Sequence, residues 1–467
     1  MIETLFKERL QEFYETLAYH FKNGQSTRKA VDYLVKSGEK CLRRYAVEES
    51  HLYFKESFDI LSQKTDKTGE DDEQIIDLLN KWGMVFYYRG DYKTLLSLLI
   101  ENRQVAESLK DKSKLGMYYC WLGAALFHTE QLREAYEYLK KTLSLGENIK
   151  DPQIIVYASS WLCFVCAELG LLDEAIQHAK RGEEMARSLE LEDLYCLSLT
   201  GLGHAYWYKG ETKKTFEVGR TLLERGQEIA NVRGIVLGHY IIGCSYFMSG
   251  DFSLATESYK TSIRLSADPY YSQWPRMLLG LSYTLSGQYE EAEEVVQEVL
   301  NYTNKFDVRI IGTPANSIMG MILAGKGKLR EGIRMYEEGQ QIYMKADRRW
   351  CYTLSEYILG NMYLQIMRES GLKRGPFLAR NIVFMVRNFP LLKKRAVYHL
   401  TRSIDLAEKI GAKLTLGMAY HELGLLYLYE RKTAEARECI TKAVNVFDQC
   451  GAEGYLKQAK ETLASLN

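Results

Sequence analysis

Cys163 and Cys166 are spaced as CxxC, a pattern that elsewhere binds zinc or exchanges disulfides. Either chemistry needs a partner pair or an exposed helix N-terminus. Here both cysteines fall mid-helix at positions that recur as core along the chain, so they read as packing residues. The 9 Cys are scattered and odd in number, which suits small apolar residues in a reducing compartment better than a disulfide framework. The 8 His are dispersed, with no HExxH and no paired spacing. His128 and His204 stand out only as single candidates for a binding groove. There is no nucleophile elbow around any Ser and no GxxxxGK[ST] loop for a nucleoside triphosphate. No enzyme, cofactor or metal is expected from these patterns.

Composition narrows the class further. The 467 residues carry 61 Lys+Arg and 61 Asp+Glu, a net charge of zero. Bulk attraction to nucleic acid or to anionic lipid is therefore not expected. Only 6 Pro stand against 34 Tyr, as suits a mostly helical chain. The first residues lack the apolar stretch of a signal peptide, and charge-free windows such as Ile310 to Gly325 are short for a membrane span. The expectation is a soluble, cytoplasmic protein.

The elements that must position these side chains repeat with a fixed period. Gly83, Gly123, Cys163, Gly203 and Gly243 stand 40 residues apart. Gly280 follows after 37, Gly320 and Gly360 after 40 each, and Gly424 after 64, a step of 40 plus an insertion of 24. Twelve residues beyond most of these marks comes a second compact residue: Ala135, Ala175, Thr215, Ala255, Ala292, Gly332 or Ala436. A large apolar residue precedes each mark, and an aromatic or apolar one follows three later, the stripe of a buried helix face. Mid-helix glycine is unfavourable by about 1 kcal/mol, so its recurrence signals two helices too close for a side chain. Asp71, Asp111, Asp151, Asn231, Asp268, Asp307 and Asp347, with Asp193 slightly displaced, are the expected N-caps of the first helix of each unit. Gly90, Gly170, Gly250 and Gly287 are the expected helix-ending turns.

This pattern is similar to the tetratricopeptide repeat over roughly residues 28–466, with units of 40 residues rather than 34. The resemblance implies an all-α, right-handed superhelix of helical hairpins. Residues 10–62, through Leu17-Ala18-Tyr19-His20-Phe21, Ala30, Tyr33-Leu34, Gly38, Tyr45-Ala46 and Tyr53-Phe54, resemble the segment that follows the ATPase module in bacterial multidomain adenylate/guanylate cyclase–ATPase proteins. The stretch 436–467 resembles the C-terminus of the same proteins. By that resemblance the chain is a non-catalytic sensor or scaffold that regulates an attached or associated ATPase or cyclase. A freestanding adaptor is the alternative.

In tetratricopeptide stacks the first helix of each unit lines the concave side. Mapped onto this chain, that side carries Tyr87, Tyr88, Phe127, His128, Phe164, His204, Trp207, Tyr208, Tyr240, Phe247, Trp274, Met277 and Tyr357. Such a lining favours a protein or peptide partner that lays an apolar helix or loop in the groove. The competing reading is that tight coiling buries these aromatics in the protein's own core. Four regions are expected: a leading helix and divergent first hairpin (1–62), regular repeats (63–366), a basic amphipathic insertion (367–395), and final repeats with a capping helix (396–467). The insertion carries Arg380, Arg387, Lys393, Lys394 and Arg395 among apolar residues. It reads either as an extra helix packed on the superhelix or as a helix touching a membrane surface or acidic partner.

Overall fold

Helices of 17 or 18 residues account for the forty-residue period. Lys112–His128 pairs with Leu132–Ile149, Pro152–Glu168 with Leu172–Ser188, Glu192–Lys209 with Thr212–Glu228, and Val232–Ser249 with the shorter Phe252–Leu265. The computed structural model describes residues 2–24, 26–370 and 376–466, without the side chains of 369–370, 376–380 and 382–390. It is all-α, a superhelix of antiparallel hairpins. No helix among the described residues is long and apolar enough to cross a membrane.

Most of the small marks, Gly123, Gly243, Gly280, Gly320, Gly360 and Gly424, sit where the two helices of a hairpin touch, whereas Gly83 and Gly203 lie against Trp121 and Ile241 of the next hairpin. At Gly320 a Cβ would meet the Gly332 carbonyl oxygen at 2.8 Å and the Tyr336 backbone nitrogen at 3.0 Å. Gly332 is the second mark of the same unit, so backbone packs on backbone there. The turns between the helices of a hairpin use glycine in the left-handed region, with φ of 70° at Gly90, 74° at Gly170, 85° at Gly210 and 80° at Gly250.

The helix starts follow the expected caps in part. Asp111, Asp151 and Asn231 accept hydrogen bonds from backbone N–H groups one turn ahead. Asp71 instead occupies the third position of its helix, in a capping box with Thr68. Asp268 caps a tight turn through the N–H groups of Tyr270 and Tyr271, ahead of the helix Gln273–Leu285. Asp193 lies inside the first turn of its helix. Asp307 and Asp347 take left-handed backbone after the preceding helix, at φ of 52° and 56°. There their carboxylates pair with Arg309 and Arg349 two residues on.

The superhelix closes on itself after five hairpins. Lys112–His128 meets Arg309–Gly325, and Pro152–Glu168 meets Arg349–Ser370. Glu192–Lys209 meets Lys413–Tyr429, and Val232–Ser249 meets the final helix Glu453–Ala464. Each partner lies ten helices further along the chain. The turn glycines sit on this seam: Gly90 lies against Tyr270 and Tyr302, Gly210 against Leu414, and Gly250 near Gly454 and Tyr455. The Tyr302 hydroxyl donates to the Arg89 carbonyl at 2.7 Å.

The insertion is not a separate helix. Its described residues lengthen both helices of the hairpin, 367–370 the first (Arg349–Ser370) and 376–395 the second, which runs unbroken over Pro376–Ile410, so the expected boundary at 395/396 falls inside that helix. Asn381 anchors the extension to an earlier turn, accepting from the Leu329 N–H at 3.2 Å and donating to the Gly327 carbonyl at 2.8 Å. The final helix turns Ala459 inward, with Tyr455 stacked on Phe447 at 5.5 Å.

The close approach at Gly320 gives the first prediction. Gly320→Ala should destabilise the protein by about 1–3 kcal/mol, the usual range for overpacking. Gly69→Ala, where a Cβ meets nothing within 4 Å, should not. Paired thermal melts would check this, and equal melting of the two variants would contradict it.

Candidate functional site at the closed concave face

The aromatic residues expected on the concave side are there, but they do not line an open groove. Tyr87, Tyr88, Phe127, His128, Phe164, His204, Trp207, Tyr208, Tyr240, Trp274 and Met277 are all buried. Only Phe247 and Tyr357 are half-buried. The physical reason is the closure after five hairpins, which presses one superhelical turn onto the next. Tyr87 meets Tyr271 edge to face at 5.7 Å, and His128 Nδ1 shares a hydrogen bond with the Tyr270 hydroxyl at 3.0 Å. What remains of the lumen is a cavity of about 80 Å³ among Trp207, Tyr208, Trp274, Met277 and Trp350, and a smaller one of about 20 Å³ among Tyr87, His128, Trp161, His204, Tyr240 and Trp274. The smaller one has room for about one water.

The firmest closing contact is ionic. Arg348, 1% exposed, places Nη1 2.5 Å from Glu130 Oε1 and Nε 2.8 Å from Glu168 Oε2. The second oxygen of Glu130 accepts from Thr313 at 2.9 Å, and that of Glu168 from the Tyr208 hydroxyl at 2.8 Å. Beside this cluster Tyr208 and Trp350 stack with centroids 3.6 Å apart and planes 6° apart. Trp350 also donates its indole N–H to the Tyr208 carbonyl at 3.1 Å. Glu130 stands where neighbouring hairpins have Gly90, Gly170 and Gly210, and it holds φ of 63°. A non-glycine residue in that region is a strained choice. Its side chain, which glycine lacks, reaches the Arg348 contact.

Two carboxylates share one guanidinium here. Burial pushes the Glu168 carboxyl up, but the Arg348 charge and the hydrogen bonds from Arg348, Tyr208 and Cys351 outweigh it and hold Glu168 below the usual carboxylate range. Glu130, with Arg348 and Thr313 as donors, is raised by burial. Burial also lowers His204 to about 4 and takes His128 well below its ordinary value. Both imidazoles are therefore neutral in the folded protein near neutral pH.

The remaining candidates lie elsewhere. All nine cysteines are free and buried. Cys166, Glu174 and His178 place one ligand atom each within 4.8 Å of one another. Glu174 already accepts from Tyr136 at 3.0 Å and from Lys140 at 3.3 Å, and burial raises the Cys166 thiol. Within the insertion, Lys393 pairs with Glu430, and Arg395 donates to the Tyr363 hydroxyl at 2.9 Å. Lys394 is exposed, while the side chains of Arg380 and Arg387 lie outside the described residues.

Sequence reasoning missed Glu130, Glu168, Arg348 and Trp350. A signal for two of them was present. Glu130 breaks the run of turn glycines, and Glu168 stands five after its mark, where other units carry Tyr88, His128 and Tyr208. Arg348 and Trp350 carry no such mark in the repeat register.

Residues 419–449, within the hairpin Lys413–Tyr429 and Thr433–Cys450, match the family model of the tetratricopeptide repeat. The other hairpins share the helix–turn–helix form of this one. No curated protein matches the sequence. Among solved structures, a Rap protein complexed with competence and sporulation factor has a TM-score of 0.56 at 14% identity, over 82% of this chain and 98% of that one. That likeness shows the fold. NprR in complex with its cognate peptide NprX gives 0.48 at 13%, over 77% of this chain and 99% of that one. A signal transduction ATPase with numerous domains and a tetratricopeptide repeat sensor, from Pyrococcus horikoshii, gives 0.39 at 18%, over 72% of this chain and 52% of that one.

Two predictions follow from the geometry of the closure. Arg348→Met leaves two buried carboxylates unpaired and should cost about 3–5 kcal/mol. Adding Glu130→Gln and Glu168→Gln should recover at least half of that loss in urea unfolding; no recovery would contradict the ion-pair account. The second concerns pH. The unfolded chain protonates its histidines near 6.5, whereas folded His204 resists protonation down to about 4. Stability should therefore fall as pH drops through that window, by at most about 1.4 kcal/mol per pH unit per histidine. Raised Glu130 acts in the opposite direction, so the comparison of wild type with His204→Gln isolates the histidine's share. Melting temperatures between pH 7.5 and 5.0 should fall less steeply in the variant, and identical slopes would refute the assignment.

Proposed function

We propose that the chain is a non-catalytic recognition module, a sensor or scaffold, whose ligand is a protein or peptide and whose response is a change in the closure of the superhelical turn. The observation that carries this reading is the burial of Arg348 between Glu130 and Glu168. Such a triad is often no more stable than apolar residues of the same volume. It is a poor device for stability alone and a good one for fixing one register of two surfaces, the role we assign it here. A closure held by a few specific contacts has an open alternative. A ligand shifts that balance only by its differential affinity for the two states.

The Rap protein, solved with competence and sporulation factor, shares this fold, which supports a signal-binding role for a repeat superhelix. The resemblance of 10–62 and 436–467 to cyclase–ATPase proteins supports an attached or associated ATPase or cyclase as the output. In this reading the aromatic concave residues are the surface that an apolar helix or loop gains when the turn opens. The membrane alternative is weakened by the basic insertion itself, because Lys393 and Arg395 already bind Glu430 and Tyr363.

The test is quantitative capture of one partner by wild type and by the Arg348→Met, Glu130→Gln, Glu168→Gln variant. Replacing the ionic lock changes the open–closed balance, so affinity should shift by roughly 5- to 150-fold, the usual size of such coupling. Unchanged affinity would mean that recognition does not depend on closure.

A further inference from the structure

A second site lies on the seam, beside Tyr87 and Tyr88 at the edge of the concave aromatics. A cavity of about 480 Å³ opens where Tyr45 and Tyr88 face the helix start at Asn231–Arg233 and the loop 266–271. That volume is within the range of ordinary ligand pockets. Arg233 lies just beneath its floor, with its side chain 7% exposed and both Nη atoms covered. The guanidinium carbon lies 4.8, 4.5 and 4.3 Å from the ring centres of Tyr87, Tyr88 and Tyr271, a three-sided aromatic cage.

The polar atoms beneath this floor are incompletely paired. Arg233 Nη1 is 3.5 Å from Asp193 Oδ1, and Nη2 is 3.6 Å from Asp268 Oδ2, attractive ion pairs too long for hydrogen bonds. Neither Nη atom has a hydrogen-bond partner, and neither does Asp268 Oδ2. The other oxygen of Asp268 is held by the N–H groups of Tyr270 and Tyr271. Burial raises the Asp268 carboxyl above its usual range despite Arg233. A donor set and an acceptor thus stand side by side, unsatisfied. Two carboxylates against one guanidinium leave one negative charge in excess. The rim is apolar, with Val232 54% and Tyr45 58% exposed.

These features select among ligands. A carboxylate end would set like charge against Asp268. A lysine side chain offers no acceptor to Arg233. An internal peptide unit pairs with both groups but leaves the negative charge uncompensated. A free peptide N-terminus supplies an ammonium, a carbonyl two bonds away and an adjacent side chain. We propose that the seam cavity binds the free α-amino end of a short peptide with an apolar first residue. Its ammonium donates to Asp268 Oδ2, its first carbonyl accepts from Arg233, and its side chain rests on Val232 and Tyr45. Because the ligand touches elements from two superhelical turns, it favours the closed form. The proposal rests on the reading of the chain as a peptide- or protein-responsive module.

Saturation-transfer NMR with the full chain would test it, using pentapeptides that begin with valine, leucine or phenylalanine and carry C-terminal amides. Free-amine peptides should bind, and N-acetylated ones should bind at least tenfold more weakly. Asp268→Asn keeps the oxygen that caps the turn, and Val232→Arg alters only an exposed rim residue; each should weaken the free-amine peptides at least tenfold. Equal binding of free and acetylated peptides, binding unchanged in both variants, or no binding of any peptide would overturn the site. Those results leave the closure-dependent capture of a partner untouched. Conversely, a seam that binds amines beside a partner affinity indifferent to the ionic lock would sink the functional reading and keep the site.

Discussion

A stack of helical hairpins normally leaves its concave side to solvent or to a ligand, because each unit buries its apolar face only against its two neighbours. In this chain the sixth hairpin returns to the first of its turn, and Arg348 bridges the seam to Glu130 and Glu168. That contact imposes the rest. Tyr208 can stack on Trp350, and Tyr270 can reach His128, only when the two turns are in register. The aromatic wealth of the concave side then becomes an interior. Interiors tolerate buried charge only when it is paired, which is the condition Arg348 meets.

The seam combines cheap and costly contacts. Surface pairs such as Arg133 with Asp347 and Lys93 with Asp307 cross it in water, where ion pairs contribute little. The buried pairs and stacks beneath them are specific in geometry. Glu130 accepts left-handed backbone so that its carboxylate can take part. Local strain at one turn is thereby exchanged for a long-range contact. This arrangement favours two discrete states over a gradual loosening, because ionic and stacked contacts are either in register or absent. The proposed function lies in the balance between those states.

Much of the fold was legible in the chain because the information is local. A period of forty, glycine at the helix crossing and glycine at the hairpin turn are all constraints within one unit, and each unit repeats them. Gly320 and Gly332 meet as their spacing implies. The site was less legible. Closure depends on the small rotation added per hairpin, which no single unit encodes and which longer helices alter. The aromatics were therefore located on the right side of each helix while their exposure was not. Asp307 and Asp347 show a smaller failure of the same kind: both keep the register of a cap, yet turn geometry places each after the previous helix. The insertion was visible as a composition shift, but its continuity with Ala396 and the following turns depends on packing.

The superhelical turn is closed and held by the seam. The nine native cysteines are buried, so spin labels can be placed selectively on exposed positions through Lys93→Cys and Lys305→Cys. Electron–electron distance measurement across the seam should give one short, narrow distribution in the free protein. It should broaden toward longer distances when Arg348→Met is added. A long or broad distribution in the otherwise unaltered protein, or one indifferent to Arg348, would contradict the account.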